Sequence, residues 1–370
     1  MALRTLERGV DRESFEQSVF SVARAYGFTS QPATLSRKNL SDIPDDLDKD
    51  AALLIALSGS VGAVTATTQV WATAKKSGGG VIVFAAASPK VSIAQAFVVK
   101  AALSTAESAG IKNPRVLVSS VGDVESRKRY LRELGNFFKK CGKELPETVL
   151  EHAVRDPDGA AMLLIDAKHE LVPSLPRTID YLSESSRKIM LETISLFERL
   201  GIEYDLEPRL PCTPDVNREL VFAIEGEDRK GNTVCVARGG RFDPEVKKGA
   251  VCQEFVGISV TVPEAIDGRR AKNAPLPACF VVHVGEAAKF KAFTLLDSLW
   301  RAQVSLGQAL LAETISEQMA QAQESQAKYV AIIGQREALD DTVIIKNAST
   351  QLQETIAVDK LILKMSRIRA

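Results

Sequence analysis

The spacing of apolar residues divides the chain into two parts with different patterns. In the first part, apolar positions recur at helical spacing over residues 13–26, 61–74, 92–109, 125–141 and 186–200, which predicts amphipathic or buried helices. Short apolar or alternating runs predict strands at residues 81–85, 115–120, 203–206, 220–225, 233–237 and 255–262. Most of these strands are clustered late in this part, which favours an antiparallel sheet with helices packed on it.

A second pattern begins after residue 277. Residues 267–277 are basic, contain proline and show no periodicity, so we interpret them as a linker. Beyond them, strands are predicted at residues 278–284, 304–311, 329–333 and 342–346, and helices at residues 287–303, 313–326 and 357–368. This alternation predicts a small α/β domain with a mostly parallel sheet. The expected division is therefore a core over residues 1–266, the linker, and a domain over residues 278–370.

Composition and charge match an ordinary globular protein of two or three domains. The 370 residues are 45% hydrophobic and 25% charged, and the formal net charge is zero, so no overall positive field attracts nucleic acid. The five cysteines form no CxxC pair and the three histidines lie far apart in sequence, so we expect no metal site and no cofactor. The odd cysteine count, the lack of a signal peptide and the polar residues within 51–74 favour a cytoplasmic protein without a membrane span.

The segment from Arg238 to Asp243 reads Arg-Gly-Gly-Arg-Phe-Asp and lies between two predicted strands. Adjacent glycines in a strand context indicate a close approach of the backbone to another group. The flanking arginines carry planar forks that suit carboxylates or phosphates. The alternative is a hairpin or bulge with solvated arginines.

Other residues with reactive side chains have structural explanations. Asp123 and Glu125 are interpreted as the cap and first turn of the helix at 125–141, not as paired catalytic carboxylates. Cys212 has no histidine nearby in sequence, so we interpret it as a plain buried cysteine.

Several blocks of sequence, taken in order, resemble histidyl-tRNA synthetases, which are class II aminoacyl-tRNA synthetases. The first covers residues 109–134 and contains Gly122, Glu125 and Arg127 in the pattern G-x-x-E-x-R. The second covers residues 180–187 and 200–210, and the third, Arg238-Gly-Gly-Arg-Phe-Asp, is similar to the family's GGRYD. Residues 329–337 and 343–347 are similar to the family's anticodon-binding domain. The resemblance implies an α+β class II synthetase-like core, an antiparallel sheet with helices that homodimerises near residues 27–32, followed by a small α/β anticodon-binding-like domain.

The resemblance also implies catalytic arginines that this chain lacks. The region matching the family's motif 2 is residues 81–89, which contain no arginine. In the motif 3 region, Glu264 stands in place of the ATP-binding arginine, and a carboxylate repels a triphosphate. In the histidine-specific element, Cys212 replaces the catalytic arginine. Since adenylate formation depends on such cations, we predict a pseudoenzyme without catalytic residues. The residues retained from the degenerate ligand pocket would be Arg209, Asp215, Arg238, Gly239, Gly240 and Arg241.

Basic residues near the C-terminus suggest a second candidate site. Lys346, Lys360, Lys364 and Arg367 are candidates for contacts with RNA phosphates or with a partner, and a solvated face is the alternative. The expected function is that of a non-catalytic, RNA- or protein-binding regulatory homodimer, with tRNA among its RNA partners. The alternatives are a regulatory subunit of ATP phosphoribosyltransferase and, less favoured, an active histidine–tRNA ligase.

Overall fold

The computed structural model describes two β-sheets with helices packed on them. The described residues are 23, 26, 28–30, 67–74, 80–87, 91–210, 217–228, 230–242, 255–262, 276–302, 304–312 and 314–368. The sequence predictions for most of residues 13–26, for the 41–66 region, for Asp215 and for most of the linker lie outside them.

The first sheet has eight strands, and its centre is antiparallel. The strands are β1 (Thr29–Ser30), β2 (Thr67–Ala74), β3 (Gly80–Ala87), β4 (Lys112–Gly122), β5 (Tyr204–Leu206), β6 (Asn217–Glu227), β7 (Thr233–Phe242) and β8 (Phe255–Val262). Their order is β1-β2-β3-β8-β7-β6-β4-β5. Only the edge pairs β1–β2 and β4–β5 are parallel, so the prediction of an antiparallel sheet is confirmed.

A long helix covers the centre of one face of this sheet. The helix α1 (Val91–Ser108) is buried from Ser92 to Ala106 and packs on β3 and β8. The alternate β8 residues Val256, Ile258 and Val260 belong to the core beneath it.

A group of three helices follows β4. It consists of α2 (Val124–Lys140), α3 (Glu147–Arg155) and α4 (Pro157–Asp166), and it has a hydrophobic core of its own. The sequence predicted only the first of these helices. The next two have Pro146 and Asp156 as their N-cap residues, and Asp156 caps α4 by accepting a hydrogen bond from the backbone N–H of Gly159. The helix α5 (Glu184–Arg199) then returns to the sheet and packs on α1.

The second sheet has five strands. They are β9 (Cys279–His283), β10 (Leu306–Gln308), β11 (Tyr329–Ile333), β12 (Thr342–Asn347) and β13 (Gln353–Ala357), in the order β10-β9-β11-β12-β13. The helices of this unit are α6 (Glu286–Arg301), α7 (Ile315–Glu324), α8 (Gln335–Asp340) and α9 (Val358–Ile368). The β9 pairs are parallel, whereas β11–β12 and β12–β13 are antiparallel. The expectation of a mostly parallel sheet is therefore wrong. The strand β13, which the sequence does not predict, adds a second antiparallel pair to that of β11 and β12.

Two predictions in the first sheet are corrected. Residues 67–74 were expected to be helical, but they form β2, which pairs with β3 along its whole length. Residues 238–242 were expected to lie between strands, but they continue β7. In both places the hydrogen-bonded neighbours of the sheet override the local pattern of the chain.

The two sheets share one continuous hydrophobic cluster. Phe97 of α1 lies 5.4 Å from Phe293 of α6 between ring centroids. Lys100 of α1 forms an ion pair with Asp297 of α6 at 3.3 Å. The hydroxyl of Tyr26 is hydrogen-bonded to the hydroxyl of Ser104 at 2.7 Å and donates a hydrogen bond to Asp297 Oδ1 at 3.2 Å.

The two glycines of β7 are explained by their neighbouring strands. A Cβ added at Gly239 would lie 2.2 Å from the carbonyl oxygen of Gly257 on β8. A Cβ added at Gly240 would lie 2.7 Å from the carbonyl oxygen of Leu220 on β6. The close approach predicted from the sequence is therefore made to the backbone of the sheet itself.

We expect Gly239→Ala to destabilise the protein by roughly 1–3 kcal/mol, because the added methyl group meets backbone that cannot move without disrupting β8. Urea unfolding monitored by far-UV circular dichroism measures this change. The control is Gly135→Ala on α2, where an added Cβ meets nothing within 4 Å. This control is expected to be stabilised by up to about 1 kcal/mol, since alanine is the better helix former. Equal effects of the two substitutions would contradict the steric explanation.

Candidate functional site

The two arginines of the Arg238–Phe242 segment lie on opposite faces of the first sheet. Arg241 pairs in register with Val256, whose side chain is in the core beneath α1. Arg238 pairs with Ser259 and is exposed. Because successive side chains of a strand point to opposite faces, the structure does not bring these arginines together around one ligand.

The middle of the sheet face that carries Arg238 is built from small, uncharged residues, with the aromatic pair Phe242 and Phe255 at one end. By the alternation of the strands, the small residues are Val83 and Ala85 of β3, Gly257 and Ser259 of β8, Gly240 of β7, and Val221 and Ala223 of β6. All seven are buried. Among the described residues of β3, β8, β7 and β6, Arg238 is the one cation on this face. Arg115 of the neighbouring β4 lies on the same face and forms an ion pair with Asp205 at 2.7 Å.

Arg209 lies at a different part of the molecule. It follows β5 at the edge of the sheet, so β6 and β4 separate it from β7. It lines an open pocket of about 660 Å³, together with Glu207, Tyr181 and the three prolines Pro173, Pro176 and Pro208. Of the six residues predicted for the ligand pocket, Gly239 and Gly240 are thus structural, and the three described arginines occupy three separate environments.

A polar cluster that the sequence did not predict joins the starts of α2 and α5. Asp123 Oδ1 accepts hydrogen bonds from the backbone N–H and the hydroxyl of Ser126, at 2.8 and 2.7 Å. Its Oδ2 accepts from the hydroxyl of Ser183 at 2.8 Å. Burial opposes the charge, but the hydrogen bonds from Ser126, Ser183 and Ser185 outweigh it and lower the pKa of Asp123 to about 2. The predicted role of Asp123 as a helix cap is confirmed.

Glu219 is a buried carboxyl group beside this cluster. It has a positive φ of 56° at an irregularity in the β6–β7 pairing, and the residue is 6% exposed. Burial raises the pKa of Glu219, while the hydrogen bond with Ser186 and the charge of Arg241 lower it. The position shows no sequence signal, because a polar residue at the start of a strand is ordinary.

The basic residues of the second unit are divided between two faces. Lys360, Lys364 and Arg367 follow one another at helical spacing on the outer side of α9, whose inner residues include Leu361 and Met365. Lys364 forms an ion pair with Glu354, and its Nζ lies 5.9 Å from the ring centroid of Tyr329.

Lys346 does not join this row. It pairs with Val330, which packs in the cluster on the α7 side of the second sheet. The neighbouring Ile345 packs on the opposite side with Leu361 and Met365 of α9. The alternation of β12 therefore places Lys346 on the face away from α9.

The described residues contain no group of three or more histidine, cysteine or acidic side chains that could hold a metal ion. Within the same residues, no helix is both long and apolar enough to cross a membrane.

Comparison with known proteins agrees with this architecture. Residues 278–368 match the family described as the anticodon binding domain, HGTP_anticodon. A histidine–tRNA ligase from Geobacillus sp. (strain WCH70) is 28% identical over 272 residues, which cover 72% of this chain and 64% of that protein. The match thus spans less than two thirds of the length of that relative.

A solved structure extends the likeness to the fold. Apo histidyl-tRNA synthetase from S. aureus aligns with 98% of this chain and 100% of its own, at a TM-score of 0.52 and 19% identity. A structure described as an ATP phosphoribosyltransferase regulatory subunit/histidyl-tRNA synthetase from Bacillus halodurans C covers 90% of this chain at a TM-score of 0.45 and 13% identity. The resemblance to histidyl-tRNA synthetases is confirmed, as is the fold: a class II synthetase-like core followed by a C-terminal anticodon-binding domain.

We expect Glu219→Gln to stabilise the protein increasingly as the pH rises. A carboxyl group whose pKa is raised by folding is protonated in both the folded and the unfolded state at low pH. Its ionisation therefore does not lower the free energy of unfolding there. Above the pKa of the unfolded chain, near 4.5, the unfolded state loses its proton more readily than the folded state, and wild-type stability falls. Glutamine keeps the shape of the side chain and removes this loss.

The measurement is the difference in free energy of unfolding between variant and wild type, from urea titrations between pH 4 and pH 7. Glu151→Gln, at an exposed position on α3, controls for the loss of one negative charge. A difference that stays flat or shrinks as the pH rises would rule out the proposed cost of ionising Glu219.

Proposed function

We propose that this chain is a non-catalytic relative of histidyl-tRNA synthetase that acts as a regulatory homodimer and binds RNA through its C-terminal domain. The observation that carries the proposal is the chemistry of the sheet face described above. Its strands β3, β8, β7 and β6 contribute mainly small, buried, uncharged residues, the aromatic pair Phe242 and Phe255, the carboxylate of Glu225 and a single exposed arginine, Arg238.

This face is a poor environment for a triphosphate. Phosphoryl chemistry depends on preorganised cations where negative charge develops. The strand β3, which stands in the motif 2 region of the resemblance, reads Gly-Val-Ile-Val-Phe-Ala-Ala-Ala and supplies none. The second arginine of β7, Arg241, lies on the other face near the buried Glu219.

The C-terminal domain carries the support for RNA binding. It matches the anticodon binding domain family over residues 278–368. On α9, Lys360, Lys364 and Arg367 form a continuous row of cations on the outer side. Such rows bind phosphates without reading the sequence of the bases.

We expect no histidine-dependent exchange of pyrophosphate into ATP. Each lost electrostatic contact to a transition state costs on the order of 10²–10³ in rate, so the loss of several leaves the reaction at background. The assay measures labelled ATP formed from pyrophosphate, with and without histidine, and an active histidine–tRNA ligase assayed in parallel is the positive control. Exchange that requires histidine would refute the non-catalytic part of the proposal and leave RNA binding standing.

Substituting Lys360, Lys364 and Arg367 together by alanine is expected to weaken binding of total tRNA at low salt. With about 0.7 counterions released per contacted phosphate, the loss of three contacts should make the slope of log K against log salt shallower by about 2 units. Filter binding over a series of salt concentrations measures both quantities.

Two single variants serve as controls for this experiment. Lys188→Ala changes an exposed residue of α5, outside the C-terminal domain, and should bind tRNA as the wild type does. Lys346→Ala tests the opposite face of the domain, so a larger loss there than in the α9 variant would move the interface to that face. If the wild type shows no salt-sensitive binding of tRNA, the proposal of RNA binding is wrong.

The regulatory subunit of ATP phosphoribosyltransferase stays the alternative prediction. It is tested separately by asking whether this chain co-purifies with the catalytic subunit of the transferase and whether it restores that subunit's activity. Failure of both would remove this alternative.

A further inference from the structure

The contact between helices α1 and α6 joins the core to the C-terminal domain, and most of it is apolar. Its aromatic side chains are Phe97 of α1 and Phe293 and Trp300 of α6. A group of polar side chains lies within this apolar contact: Tyr26, Lys100, Ser104 and Asp297. We call these four residues the junction cluster. Polar groups at such a place need an explanation, because taking them out of water costs free energy.

Asp297 of the C-terminal domain is bound by side chains of the core. Its Oδ1 accepts a hydrogen bond from the hydroxyl of Tyr26 at 3.2 Å and lies 3.3 Å from the Nζ of Lys100. Its Oδ2 accepts a hydrogen bond from the Nε of Arg301, one turn further along α6, at 3.1 Å. Both core donors are withdrawn from solvent, since the side chain of Lys100 is 6% exposed and Tyr26 is fully buried.

Tyr26 contacts both domains at once. On the core side, its hydroxyl is hydrogen-bonded to Ser104 of α1 at 2.7 Å. On the other side, its backbone carbonyl oxygen accepts a hydrogen bond from the Nε2 of Gln308, at the end of β10, at 2.7 Å. The centroid of its ring lies 6.1 Å from that of Phe97 and 6.3 Å from that of Trp300. The junction cluster therefore ties three separate parts of the chain to one point.

Apolar packing and hydrogen-bonded charges have different effects at such a junction. The burial of apolar surface depends on its area and has no direction, so the aromatic contacts alone stabilise several neighbouring orientations of the two domains. An ion pair with hydrogen bonds fixes distances and angles. It adds little net stability, however, because the cost of taking two charges out of water offsets their attraction. The main effect of Lys100 and Asp297 is thus on which orientation is chosen.

We infer that the junction cluster sets a single orientation of the C-terminal domain on the core, while the surrounding apolar contacts hold the two together. This inference does not depend on the proposed RNA binding. Its consequence for function is a fixed relation between the surfaces of the two domains. A partner that contacts both domains then meets a preformed surface, and binding does not carry the cost of ordering one domain relative to the other.

The test replaces the two charges by apolar side chains of similar size, in the double variant Lys100→Met with Asp297→Leu. We expect its midpoint of urea unfolding to equal or exceed that of the wild type, because well-packed apolar residues replace a buried ion pair without loss of stability. Asp297→Asn alone should lower the midpoint clearly, since it leaves the charge of Lys100 buried without its carboxylate.

The orientation is measured as the distance between spin labels at positions 188 and 360, which are exposed on α5 and α9. The labels enter as unnatural amino acids, so the native cysteines stay unlabelled. Labelled protein is diluted with unlabelled protein, so that only distances within one chain are recorded. The wild type should give one narrow distribution of distances. The double variant should give a distribution roughly twofold broader or more, because apolar contacts alone permit several orientations.

Two further variants make the result specific. Tyr26→Phe removes only the hydroxyl group and keeps both charges, so it should also broaden the distribution, and it decides the question if the double variant does not fold. Glu107→Gln removes a carboxylate from the same junction, where Glu107 is half-exposed and lies 3.9 Å from Arg301. Because exposed ion pairs contribute little, this control should keep the midpoint and the distance distribution of the wild type.

Three results would overturn the inference. The first is a narrow distribution in the double variant and in Tyr26→Phe, since apolar packing alone would then set the orientation. The second is a broad distribution in the wild type itself. The third is a midpoint of the double variant as low as that of Asp297→Asn, which would show that the two charges act on stability.

Discussion

The burial of helix α1 is the constraint on which the rest of the fold depends. From Ser92 to Ala106 the helix has no exposed side, so it needs neighbours all around. The strands β3 and β8 lie on one side, α5 packs on another, and Phe293 of α6 covers a third. The second sheet is therefore not an appendage of the first, because the two units complete the same core. Two polar side chains of α1 in this core have partners. Lys100 forms an ion pair with Asp297, and Gln95 accepts a hydrogen bond from Thr193 of α5 at 2.8 Å.

The sequence predicted most elements whose pattern is local. The sequence predicts the helices α1, α2, α5, α6 and α9 and the strands β3, β8 and β11 to within a few residues, because their apolar residues are either regularly spaced or, in α1, form one long continuous run. Residues 67–74 could not be assigned this way. They mix threonine, alanine and valine, and their state is decided by eight pairings with β3. The end of β7 was missed for a related reason: the glycines that usually interrupt a strand are required there by the backbones of β6 and β8.

The candidate sites show a similar limit. Residue types could be chosen from the sequence, but the face on which each side chain lies depends on strand register. Arg238 and Arg241 are three residues apart and face opposite ways because their segment is a strand, and Lys346 is separated from the α9 row by the sheet itself. Glu219 had no sequence signal at all, because its environment is made by Ser186 and Arg241, which lie far from it along the chain. The pocket at Arg209 likewise needs residues from 173 to 209, brought together only in three dimensions.

The contacts of Tyr26 affect how the chain reaches its native state. The carbonyl of Tyr26 accepts a hydrogen bond from Gln308, at 2.7 Å and 282 residues later in the sequence. At a ribosomal rate of about 5–20 residues per second, roughly 15–60 s pass between the synthesis of the two partners. During this interval the side of α1 that Phe293 will cover has no native partner. A nascent chain of this protein therefore leaves this apolar side of α1 without its native partner until the C-terminal domain has emerged.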